Sequence, residues 1–115
     1  MMALTRDFRQ TVVERMERDP SFARATLHEA ATLLLNGEPE PARLVLRDLV
    51  NGTLGFEALA KVTRTPSKSL HRMLSGRGNP GMDKLAGIFS ALGRELRVEL
   101  SVHSGSVSRR PRRAA

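Results

Sequence analysis

The sequence predicts an all-α bundle of about six helices followed by a single C-terminal strand at 94–103. Three observations carry that prediction. Apolar residues recur every three or four positions through most of the chain, as on a helix with one buried face. Asn-Gly, Ser-Gly and proline interrupt the pattern where helices should stop and start. Near residue 94 the period changes from 3.6 to 2.

Leu4, Phe8, Val12 and Met16 form the apolar stripe of a first helix over about 4–18. Asp19 is placed to cap the next helix, and Pro20 suits its first position, where a missing N–H leaves nothing unpaired. Ala23, Leu27, Ala30, Ala31 and Leu34 make that helix's face. Asn36-Gly37 stops it, because glycine accepts left-handed backbone. Glu38-Pro39-Glu40-Pro41 reads as a stiff connector to a third helix, with Ala42, Val45, Leu46, Leu49 and Val50 on one side and Asn51-Gly52 as its stop. A two-turn helix over 56–62 is opened by Thr53-Leu54-Gly55. After the turn Thr63-Arg64-Thr65, a helix over 66–75 begins at Pro66 with Thr65 as its cap; Leu70, Met73 and Leu74 are its inner side and Ser75-Gly76 its end. Arg77-Gly78-Asn79-Pro80-Gly81 is a loop. Leu85, Ile88, Phe89 and Leu92 mark the last helix, which starts near 82, takes Asp83 as its cap and closes at Gly93.

In the strand, Leu96, Val98, Leu100 and Val102 alternate with Glu95, Arg97, Glu99, Ser101 and His103. A lone strand leaves half its backbone groups unpaired. A two-fold dimer resolves this by pairing the strand antiparallel with its own copy; the alternative is a return onto an irregular segment of the same chain. Residues 104–115 have no packing face and are expected to be disordered. The expected organisation is therefore an N-terminal helical extension over 1–53, a core over 54–93, the strand over 94–103 and the basic tail over 104–115.

Composition narrows the function. A chain of 115 residues, 40% of them hydrophobic, is one small domain with a real core. Without cysteine there is no disulfide framework, thiol nucleophile or cysteine zinc site. Apolar runs are too short to span a membrane, and MMALTRDFRQ lacks the apolar segment of a secretory signal, so a cytoplasmic location is expected. The net charge of +7 is uneven: residues 1–53 are near neutral, 54–103 carry +4 and 104–115 carry +4. Within 61–77 stand Lys61, Arg64, Lys68, Arg72 and Arg77 with no acid, a footprint suited to a polyanion.

Two short helices, 56–62 and 66–75, joined by about three residues have helix-turn-helix spacing. Ala60 is small where the second helix would cross the first, and Leu59, Val62, Leu70 and Met73 are placed to lock the pair. The other side of the second helix shows Ser67, Lys68, His71 and Arg72, polar groups suited to base edges in a major groove. Ser69, Arg77, the backbone around Gly78-Asn79 and Lys84 are the candidate phosphate contacts, aided by the helix start near 82.

Residues 18–103 resemble HigA-type antidote proteins of the Cro/CI-like (XRE) helix-turn-helix group. The resemblance lies in RDPSFARATLHEA, in LVLRDLVN and in FEALAKVTRTPSKSLHRMLSGRGNPGMDKLAGIFSALGRELRVEL. It implies a dimeric transcriptional regulator that binds a palindromic operator, represses its own operon and, as the antitoxin of a type II toxin-antitoxin module, neutralises a RelE-like toxin. The base-reading role falls on Ser67, Lys68, His71 and Arg72. Two positions depart from the family pattern. Arg64 stands where glycine is usual, placing a non-glycine residue at positive φ, and Pro66 replaces the usual capping serine. Two alternatives stay open: a toxin-binding module with little DNA binding, and a phage-repressor-like regulator without a toxin.

Other chemistries find little support. His28, His71 and His103 lie on separate elements, which argues against a metal site. GRGNPG follows no strand and is no nucleotide-binding signature. The absence of Trp and Tyr argues against a stacking platform for single strands. No catalytic residues and no cofactor are expected.

Overall fold

The computed structural model describes residues 6–107. Among them are six helices: α1 (Arg6–Arg18), α2 (Pro20–Leu35), α3 (Pro39–Gly52), α4 (Gly55–Thr63), α5 (Ser67–Met73) and α6 (Met82–Leu96). Local chemistry explains most boundaries. Asp19 caps α2, its Oδ1 accepting from Phe22 N at 3.2 Å, with Pro20 in the first turn. Gly37 closes α2 at φ 83°, and Glu38 N donates back to Leu33 O at 2.9 Å.

The same closure ends α4 and α6 without glycine. Arg64 (φ 54°) and Arg97 (φ 58°) take the left-handed position, and Thr65 N and Val98 N reach Ala60 O and Gly93 O. The positive φ expected at Arg64 is thus present.

Helices α2 and α3 form a hairpin, with α1 laid across α3. Gly52 makes that crossing possible: a Cβ there would lie 2.8 Å from Met16 Cβ and 3.1 Å from Val13 O. Helix α4 packs on α3, α5 on α4, and α6 on both α4 and α2. Leu27, Leu46, Leu49, Val50, Leu59, Leu70, Leu74, Ile88 and Leu92 are fully buried and belong to one cluster. At about 25 cal/mol per Å² of apolar area, each contributes roughly 1.5–3 kcal/mol against the entropy of ordering.

Several expectations are corrected. The connector over 38–41 is helical from Pro39, because proline fits a first turn that needs no N–H. Gly93 does not close α6; it is buried inside it, and Leu96 extends the Leu92 face by one more turn. Residues 94–96 of the expected strand are therefore helix, and no strand is present among the described residues. Val98 and Leu100 lean on the core, while Val102 is exposed. Asp83 is no cap: Gly81 occupies that place without a side-chain bond. Phe8 shares the α1 stripe but is 54% exposed. Leu4 and tail residues 108–115 lie outside the described residues.

Candidate nucleic-acid interface

Helix α5 is seven residues long and is joined to α4 by Arg64, Thr65 and Pro66. It is shorter than the expected 66–75. Pro66 is its N-cap (φ −57°, ψ 140°), and the Pro66 carbonyl accepts the first intrahelical bond from Leu70 N at 3.1 Å. Thr65 is not the cap. It is buried, with its hydroxyl donating to Thr63 O at 3.1 Å and accepting from Lys84 Nζ at 2.8 Å. Proline fixes the geometry that a capping side chain would otherwise enforce.

Leu70 and Leu74 carry α5 onto the core. Leu59 meets them from α4, and Ala60 and Met73 are half-buried against the same cluster. Val62, expected to help lock the pair, is instead 55% exposed. An unforeseen contact does part of that work: the rings of Phe56 and His71 stack with centroids 3.8 Å apart and planes 19° from parallel.

Lys68 and Arg72 are both exposed, one helical turn apart on the side of α5 away from Leu70 and Leu74. Ser67 and Ser69 are half-buried. His71 reaches solvent but lays one ring face on Phe56, which restricts it as a reader. Arg77 and Asn79 are exposed in the loop after α5, and Arg64 is exposed before it. Lys84 is exposed on α6, yet its ammonium already bonds Thr65 and ties α6 to the turn. With three donors, an ammonium so held keeps capacity for an anion.

The sequence alone does not single out Arg43, and it shows Gly78 only as part of a loop whose backbone could meet phosphate. Arg43 of α3 donates to Ser75 O and Gly76 O, just beyond α5. Gly78 packs its backbone against the end of α5: a Cβ there would lie 2.6 Å from Arg72 O and closer still to the Met73 carbonyl oxygen. The glycine in GRGNPG signalled a turn; only the folded chain makes it a contact.

Elsewhere, Asp48 sits between α1 and α3, its Oδ1 3.4 Å from Arg9 Nη1. Burial pushes its pKa above the usual carboxylate value, against the opposing pull of Arg9 and Arg47. Among the described residues no three His, Asp or Glu side chains converge as metal ligands, and no helix is long and apolar enough to cross a membrane. No family model, curated protein or solved structure matches this chain.

Proposed function

We propose that this protein is a sequence-specific regulator that binds double-stranded DNA and reads the major groove with α5. The observation that carries the reading is the two-sidedness of α5. Leu70 and Leu74 are fully buried, while Lys68 and Arg72 stand exposed on the opposite side. Had those cations pointed inward, no groove contact would be possible. Both are suited to guanine O6 and N7, with Ser67 beside them. Arg64, Arg77, Asn79 and Lys84 surround the helix with donors for phosphates.

The chain acts as a homodimer in this reading. The backbone of 98–103 lies outside any helix and keeps its alternating pattern, which suits it to pair with its own copy. Two α5 helices then fall about 34–36 Å apart, one DNA turn. Occupying a promoter blocks polymerase sterically, so repression requires no catalysis. The resemblance of 18–103 to HigA-type antidotes extends the proposal to an antitoxin that represses its own operon and binds a RelE-like toxin through α1–α3.

Selection from a random duplex library tests this directly. A palindromic site with half-sites about 10 base pairs apart is expected. No enriched sequence at about 100 mM salt would overturn the reading. Co-purification with a small ribonuclease without duplex binding would leave only the toxin-binding role.

A further inference from the structure

Arg43 belongs to α3, outside the α4–α5 pair, and its partners lie 32 and 33 residues further along the chain. Its Nε donates to Ser75 O at 3.0 Å and its Nη2 to Gly76 O at 2.8 Å. Nε and Nη2 form one edge of the guanidinium, so a planar fork grips two successive carbonyls. Those carbonyls follow directly on Leu74, the C-cap of α5.

A helix of seven residues does not hold itself in water, so what holds its ends sets its pose. At this end Ser75 O also accepts from Gly78 N at 3.0 Å, and the backbone at Gly78 closes on the carbonyls of Arg72 and Met73. Arg43 therefore sits where α5 ends and the loop bearing Arg77 and Asn79 begins. Its charge also meets the negative end of the α5 dipole.

We propose that Arg43 is a positioning residue for base reading. It fixes the tilt of α5 against α3, and it does not itself touch nucleic acid. This rests on the reading of α5 as the DNA-contacting helix and names the residue that orients it. Sequence is read at base edges, whereas phosphate contacts carry no sequence information directly. Loss of Arg43 should therefore erode discrimination and spare non-specific binding. A phosphate-binding arginine would do the opposite, weakening every duplex and flattening the salt dependence.

The test uses the full chain with R43Q and R43K, and R72A for reference. Amide hydrogen exchange at 73–78 is measured without DNA, and dissociation constants are measured for the selected duplex and a random one across a salt series. R43Q is expected to speed exchange at these amides and to lower the selected-to-random affinity ratio about tenfold or more. The salt slope and the random-duplex affinity should stay as in the parent chain. R43K should recover part of the ratio, since an ammonium bonds a carbonyl but lacks the fork. Unchanged exchange in R43Q would overturn the clamp. Faster exchange with an unchanged ratio would overturn its role in reading. A parent chain with no preferred duplex overturns the underlying function, while the exchange measurement still decides the clamp. If R43Q does not fold, R43K carries the same comparisons.

Discussion

Two glycine-to-alanine substitutions should move stability in opposite directions. At Gly78 the added methyl has nowhere to go: its carbon would lie 2.6 Å from Arg72 O and nearer to the Met73 carbonyl oxygen, backbone atoms that cannot swing aside. The loop must retreat, at a cost of about 1–3 kcal/mol for overpacking. That retreat also stretches the Gly78 N–Ser75 O bond of 3.0 Å, worth about 0.5–1.5 kcal/mol net. At Gly87, within α6, nothing lies within 4 Å of the new carbon. There alanine gains about 0.5–1 kcal/mol, because glycine gives up more backbone freedom inside a helix. For 115 residues an unfolding entropy of about 2.1 cal/mol/K per residue makes each kcal/mol worth about 4 °C. Gly78→Ala should then melt about 6–18 °C lower and Gly87→Ala about 2–4 °C higher. Thermal unfolding followed by far-UV circular dichroism reads both. A Gly78→Ala protein melting at or above the parent would refute the close approach and, with it, the tight end of α5.

Arg72→Ala should cost about 1–3 kcal/mol on the selected duplex and relax preference at one base pair per half-site. Fluorescence anisotropy checks it, and equal losses on selected and random duplexes would contradict base reading. Arg77→Ala should weaken all duplexes alike and lower the salt slope by about one, seen in titrations at several salt concentrations. Arg64→Gly relieves a left-handed arginine and should stabilise the fold by up to about 1 kcal/mol while weakening duplex binding; a lower melting point would refute the strain. Burial raises the Asp48 pKa, so the folded state binds its proton more tightly than the unfolded chain. Stability should therefore fall as pH rises through the raised value and stay level above it. Asp48→Asn should flatten that segment in melts taken across acid pH; a variant retaining the full slope would remove Asp48 as its source.

Most helices were legible because burial imposes a period on the sequence. That period says which residues share a face, not whether a neighbour covers it. Met16 and Phe8 lie on one stripe, yet Met16 meets Gly52 of α3 while Phe8 is left largely exposed. Val62 shares a helix with Leu59 and meets the same fate. The alternation of 96–102 was real, but Leu92 and Leu96 are also four apart, and the last turn of α6 won those residues. Asn-Gly occurs at 36–37 and 51–52. Gly37 serves its backbone at φ 83°; Gly52 serves by lacking a side chain beneath Met16. Only the tertiary contact separates the two uses.

The candidate site divides the same way. Lys68 and Arg72 could be read from spacing because exposure on a helix is periodic. Arg43 could not, since Arg43 and Arg47 are two arginines four apart on α3 with nothing local to distinguish them. What distinguishes Arg43 is a need created elsewhere: the end of a short helix leaves carbonyls in want of donors, and α3 brings one to Ser75 O and Gly76 O. The same need recurs at the end of α6, where Leu96 O takes Arg24 Nε from α2 at 3.1 Å. In both cases an arginine of the N-terminal hairpin closes a helix from the second half of the chain. Helices α2 and α3 therefore do more than cover apolar surface. They hold the ends of α5 and α6 in place through Arg43 and Arg24, and a partner that moved the hairpin would move the proposed reading helix with it.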